Sequence, residues 1–157
     1  MAGGTFRVAN KFNHIHAIKS IEAGIDKVRI NPGNIGDDEK VRAVATACRN
    51  NGVPIRIGVN SGSLEKELLA KYGSPCAEAL AESALYHASL LEKYDFDDIV
   101  ISVKSSDTIK MIEAVKLIAG KCNYPIHLGV TEAGTKYSGI IKNIPQIEEK
   151  INEIKIR

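Results

Sequence analysis

Short apolar runs alternate along this chain with amphipathic stretches of helical periodicity. Four runs rich in β-branched residues predict strands at 27–30, 54–59, 98–103 and 125–130, and the run at 5–9 is a fifth strand candidate. Strict alternation of strands with helices predicts a parallel sheet, because parallel neighbours need a crossover connection. We therefore expect an α/β fold built from parallel βα repeats.

The helical stretches carry recognisable start and stop signals. Apolar periodicity predicts helices at 13–23, 37–49, 77–94 and 107–119, the last with Asp107 or Thr108 as its N-cap. Glycines at 24, 52 and 120 follow three of them and predict their ends. The long interval before the third of these helices leaves room for an insertion at 63–75.

Two strands share an apolar-Arg-Ile pattern, which indicates a weak internal repeat. Val28-Arg29-Ile30 resembles Ile55-Arg56-Ile57, and each run leads into a glycine-containing loop. Repeated βα units make up a (β/α)₈ barrel, although doubly wound sheets share the feature.

Polar side chains recur at or near the carboxyl ends of the predicted strands. They are Arg29, Asn31, Arg56, Asn60, Lys104 and Glu132. In α/β folds, ligands bind outside the carboxyl ends of the strands. Guanidinium, ammonium and amide groups together suit an anion with several oxygens, such as a small phosphorylated or diphosphate substrate. The alternative is that these side chains extend to solvent or pair internally with helix carboxylates.

Composition narrows the choice of partners. The chain of 157 residues has 21 basic and 19 acidic residues, a net charge of +2, and no Trp. This balance argues against nucleic acid and against a membrane surface as partners, and the absence of a long apolar run or signal pattern predicts a cytoplasmic protein. Cys48, Cys76 and Cys122 lack metal-ligand spacing, so we expect buried thiols and no metal site.

Several long blocks identify a family resemblance that runs from about Phe12 to about Asn143. They include AGIDKVRINPGNIG at 23–36, PIRIGVNSGSLEK at 54–66, SVKSSD at 102–107 and HLGVTEAG at 127–134. On these blocks the chain resembles the hydroxymethylbutenyl diphosphate synthase (IspG/GcpE) family of the non-mevalonate (MEP) isoprenoid pathway. The resemblance implies a TIM barrel followed by a domain with a [4Fe-4S] cluster. It also implies an iron–sulfur oxidoreductase that opens methylerythritol 2,4-cyclodiphosphate with electrons from flavodoxin or ferredoxin.

The resemblance also implies roles for the strand-end residues. The groups that would grip the diphosphate are Arg29, Arg56 and Lys104. Asn31 and Asn60 would hydrogen-bond the diphosphate or the erythritol hydroxyls. Glu132 would be the candidate catalytic acid or base in ring opening and dehydration.

The resemblance covers only the middle of the barrel, about five of its eight strands. We expect a partial TIM-barrel substrate-binding domain at 1–143 and a charged helical tail at 144–157. The Asp-Ile-His motif of the family is replaced by Ala9-Asn10-Lys11-Phe12, and the cluster domain with its cysteines is not recognisable. The chain is therefore expected to be a truncated or fragment form that binds the diphosphate and is incomplete as an enzyme by itself.

An alternative function is a non-catalytic scaffold or self-associating barrel remnant. Five strands cannot close an eight-stranded barrel, and open strand edges invite pairing. We expect either a homo-oligomer formed through those edges or closure by the terminal segments.

Overall fold

The computed structural model of the chain describes residues 7–10, 13–31 and 35–130. Five strands form one sheet: β1 (Val8–Asn10), β2 (Lys27–Ile30), β3 (Ile55–Asn60), β4 (Ile99–Ser105) and β5 (Ile126–Val130). Their order in the sheet is their order in the chain, and the β1–β2 and β2–β3 pairs are parallel. The expected α/β fold of parallel βα repeats is confirmed.

Helices connect these strands. They are α1 (His14–Glu22), α2 (Asp38–Asn51), α3 (Lys66–Tyr72), α4 (Ala77–Glu92) and α5 (Thr108–Ala119). A 3₁₀ turn at Ser61–Ser63 and α3 occupy the segment between β3 and α4, where the insertion was expected. Within the described ranges, the structure contains no helix with the length and apolar composition of a membrane span.

Side-chain caps explain where three of these helices begin. Asn13, Asp37 and Asp107 each accept a hydrogen bond from a backbone N–H of the first turn that follows. Each cap satisfies a donor that has no partner inside the helix. Gly52 ends α2 in the left-handed conformation, with φ 62°, which a residue without Cβ adopts at little cost.

The chain divides into two compact units. Of the described residues, those from 7 to 58 and from 86 to 101 form the first, and those from 59 to 85 and from 102 to 130 form the second. The domain boundary predicted at 143/144, with its charged tail, lies outside the described residues and stays a prediction.

The buried apolar side chains of the first unit include residues of α1, α2 and the strands. β2 buries Val28 and Ile30, and β3 buries Ile55 and Ile57. From α2, Val44 is 0% exposed, as its apolar periodicity predicts. This apolar face of the strands leaves the alternate positions of β2 and β3 on the opposite face.

The second unit has its own small core and a polar contact within the segment that follows β3. Leu80 of α4 and Met111 and Ile118 of α5 are fully buried. Glu82 of α4 accepts hydrogen bonds from Lys71 Nζ, 2.7 Å away, and from the Tyr72 hydroxyl, 2.6 Å away. These bonds attach the end of α3 to α4.

Candidate functional site

Two arginines lie side by side on the face of β2 and β3 that points away from the apolar core. Arg29 alternates with the buried Val28 and Ile30, and Arg56 alternates with buried isoleucines of β3. The two arginines are register partners in the parallel β2–β3 pair. Because side chains alternate between the two faces of a strand, both arginines lie on this face of the first unit.

The guanidinium of Arg29 extends over the neighbouring strand at Gly58. A Cβ built on Gly58 would lie 2.2 Å from Arg29 Nε and 2.3 Å from Nη2, far inside van der Waals contact. The Nε atom of Arg29 is buried and has no hydrogen-bond partner among the described residues. Arg29 thus crosses β3 where that strand has no side chain.

The electrostatic environment of Arg29 disfavours its charge. Burial lowers the pKa of the Arg29 guanidinium, and the positive charge of Arg56 lowers it further. An anion placed between the two groups would relieve both effects, because it supplies opposite charge and hydrogen-bond acceptors. The arrangement is suited to a ligand with phosphate oxygens.

Asn31 follows β2 directly and is 8% exposed. Asn31 and Arg56 both have polar interactions within the chain. A bound ligand would therefore contact side chains that already interact with other groups of the protein. The first unit therefore holds three of the predicted substrate-binding residues, and Arg29 and Arg56 are the two in register.

The second unit holds two more of the predicted residues. Asn60 ends β3, and Lys104 is the penultimate residue of β4; both are partly exposed. Lys104 lies between the buried Val103 and Ser105. The predicted catalytic residue, Glu132, lies outside the described residues.

Gly58 is the residue near this site that the strand-end pattern did not single out. The available signal is a glycine inside a strand, which often marks close approach of another group. That signal does not name the approaching group, which here is the side chain of Arg29.

A separate cavity of about 500 Å³ lies at the opposite ends of β2 and β3. Its lining includes Ile21 and Asp26, which precede β2 in the chain, and Val53, which precedes β3. Because ligands of α/β folds bind at the carboxyl ends of the strands, this cavity is not the candidate site.

The cysteines do not form a metal centre within the described part of the chain. No group of three or more His, Cys, Asp or Glu side chains there could hold a metal ion, so these residues do not fit an iron–sulfur cluster. Cys48 is buried, and burial, together with the charge of Asp98, raises the pKa of its thiol to about 12. Cys76 and Cys122 are only partly buried, so the expectation of buried thiols is correct for Cys48 alone.

Comparison with known proteins assigns the family. The family profile described as the GcpE TIM-barrel domain matches residues 8–153. The chain belongs to this family. The predicted fold class, a partial (β/α)₈ barrel with about five of eight strands, agrees with this match and with the five strands of the sheet.

Two curated relatives in this family carry the same name. The chain is 58% identical over 132 residues to the 4-hydroxy-3-methylbut-2-en-1-yl diphosphate synthase (flavodoxin) of Fusobacterium nucleatum, and 60% identical over 132 residues to that of Clostridium tetani. Each match covers 84% of this chain, and the chain spans 37% and 38% of these relatives. The resemblance to hydroxymethylbutenyl diphosphate synthases is thus confirmed.

A solved structure of an HpcH/HpaI aldolase from Desulfitobacterium hafniense is a more distant likeness. It matches 98% of this chain and 76% of its own, with a TM-score of 0.49 and 11% identity. We draw no functional conclusion from a likeness at this level.

Proposed function

We propose that this chain is a partial GcpE barrel that binds the cyclic diphosphate substrate of hydroxymethylbutenyl diphosphate synthases. The observation that carries the proposal is the register-matched pair Arg29 and Arg56 on the face of the sheet opposite the apolar core. Burial and mutual repulsion lower the pKa of Arg29, and a bound diphosphate would counter both effects.

The proposed contacts follow from the chemistry of each side chain. The two guanidinium groups present paired N–H donors that match phosphate oxygens in geometry and charge. Asn31 would hydrogen-bond the diphosphate or an erythritol hydroxyl through its amide. Asn60, Lys104 and Glu132 keep the roles that the resemblance implies: Asn60 and Lys104 as substrate ligands, and Glu132 as acid or base.

The proposal for this chain is limited to binding. Reductive ring opening requires electrons, and the described residues do not fit the [4Fe-4S] cluster that the resemblance implies. We propose that turnover needs the cluster-bearing part of the family on the same or a second polypeptide, with flavodoxin or ferredoxin as donor. The name of the relatives specifies flavodoxin. A cytoplasmic location is part of the same proposal.

Calorimetry with methylerythritol 2,4-cyclodiphosphate tests the proposal. The parent chain should bind, and Arg56→Ala and Lys104→Ala should each weaken binding by roughly 10- to 100-fold, since a hydrogen bond to a charged group contributes about 1.5–3 kcal/mol. Arg42→Ala is the matched control, because Arg42 is an exposed residue of α2. Absence of binding by the parent chain would defeat the proposal.

The alternative, a self-associating scaffold, is favoured by one observation. β1 is an edge strand of the described sheet, and Val8 on it is 43% exposed. An open parallel edge offers unpaired backbone donors and acceptors to a second copy. Sedimentation separates the two hypotheses: a compact monomer that binds the cyclodiphosphate excludes the scaffold, and a non-binding oligomer supports it.

A further inference from the structure

We infer that Gly58 is a positioning residue of this site, and that its missing side chain gives the guanidinium of Arg29 its place across β3. Only the expected effect of Gly58 on ligand binding rests on the proposed function. Its structural basis is the overlap of a Cβ at Gly58 with three atoms of the Arg29 side chain, at 2.2, 2.3 and 2.5 Å. No arrangement of a larger residue at this position leaves that guanidinium where it is.

The requirement for glycine at this position is spatial and not conformational. Gly24, Gly36, Gly52 and Gly73 have positive φ, whereas Gly58 has not and lies within a regular strand. Any residue can adopt the backbone conformation of a strand, and glycine weakens one because it loses more chain entropy on folding. The chain bears that cost at the position over which the guanidinium of Arg29 lies.

The contact directs Arg29 toward the carboxyl end of β3. The Cα partner of Arg29 on that strand is Arg56, but its guanidinium lies over Gly58, two residues further along. Two residues of a strand correspond to about 6.6 Å. Because Gly58 has no side chain, the Arg29 guanidinium can lie two residues beyond the Cα partner of Arg29. This position is closer to the carboxyl ends of the strands, where ligands of this fold class bind.

A methyl group at Gly58 should displace the arginine without unfolding the chain. The overlapping atoms are at the far end of a flexible side chain, so Arg29 can move aside while the backbone stays in place. We expect Gly58→Ala to unfold at nearly the same urea concentration as the parent. We expect its affinity for methylerythritol 2,4-cyclodiphosphate to fall at least tenfold, because one guanidinium leaves its place.

A double-mutant cycle with Arg29→Ala tests whether Gly58 acts through Arg29. If it does, Gly58→Ala lowers affinity in the parent but changes it less than twofold in the Arg29→Ala background. Equal losses in both backgrounds would overturn the inference, because the methyl group would then obstruct the ligand directly. Gly120→Ala is the matched control, since a Cβ there meets its nearest atom at an ordinary 3.5 Å.

A measurement without ligand separates this inference from the proposed function. The Arg29 Nε atom is buried, so its N–H should exchange slowly with solvent by NMR, and Gly58→Ala should accelerate that exchange at least tenfold. Unchanged exchange in Gly58→Ala would overturn the inference even if the parent binds. If the parent does not bind but Gly58→Ala still releases the Arg29 N–H, the proposed function fails and the contact stands.

Discussion

Replacement of Arg29 by Met should stabilise the ligand-free chain while it removes ligand binding. Methionine retains an unbranched apolar stem of similar reach, so the packing of the stem is largely kept. What disappears is a positive charge that burial and Arg56 both disfavour, as the lowered pKa of Arg29 indicates. A site built for an anion is expected to be less stable without one.

The size of this effect follows from the register of the two strands. The Arg29 guanidinium lies over Gly58, two residues along β3 from its Cα partner Arg56, so the two charges are on the order of 7 Å apart. At an effective dielectric constant of about 20, that separation gives a repulsion of roughly 2 kcal/mol. Arg29 is partly exposed, and solvent screening reduces the value to about 1 kcal/mol. With a urea m-value of about 2 kcal/mol/M, the midpoint should rise by about 0.5 M.

Urea unfolding with and without inorganic pyrophosphate measures both halves of the prediction. Pyrophosphate should raise the midpoint of the parent, because a ligand that binds only the folded state stabilises it, and should raise that of Arg29→Met far less. Arg42→Met removes an exposed charge on α2 and is the control. Its urea midpoint, and the increase of that midpoint with pyrophosphate, should stay near those of the parent. A lower midpoint for Arg29→Met than for the parent would refute the reasoning, since Arg29 would then stabilise the fold through internal contacts.

Two further predictions concern groups outside the site. The buried Cys48 thiol, whose pKa is raised to about 12, should resist iodoacetamide at pH 8 while the other two cysteines react, as counted by intact-mass spectrometry; labelling of all three at equal rates would contradict its burial. Glu82→Gln should loosen α3 and speed tryptic cleavage after Lys71, whereas Glu67→Gln should not. The hydrogen bond with Lys71, and next that with Tyr72, lowers the pKa of Glu82. The contribution of these bonds to folding stability is therefore fully present above the ordinary pKa of a glutamate. That contribution to stability is lost as the pH falls through the lowered pKa of Glu82. Equal cleavage of the parent and of Glu82→Gln at pH 7 would show that the Glu82–Lys71 bond does not hold α3 in place.

Periodicity and capping predicted most of the described fold because both are local. β2 has the predicted bounds, and the predicted N-cap Asp107 begins α5. α2 continues two residues past its predicted end at position 49, because Asn51 fits the last turn and donates to the carbonyl of Ala47. β4 extends to Ser105, two residues past its predicted end, since polar residues at a strand end resemble a loop in sequence.

Features that depend on neighbouring elements were beyond the sequence pattern. Leu85 is an apolar residue of the helix predicted at 77–94 yet is only partly buried, because the depth of burial depends on what packs against the helix. α3 has seven residues and too few turns to show periodicity. The sequence pattern placed Arg29 and Arg56 at or near the carboxyl ends of predicted strands, but the path of the Arg29 side chain over Gly58 depends on its rotamer and on the adjacent strand.

The coincidence of sheet order with chain order gives the fold a modular character. Because each strand adds beside the one before it, each strand of the described sheet pairs with its immediate predecessor and successor in the chain. Removal or addition of a βα unit at either edge of the described sheet changes a single strand pairing and leaves the order of the other strands unchanged. Such an architecture lends itself to fragment complementation, in which a separately made polypeptide with further βα units docks against β1 or β5.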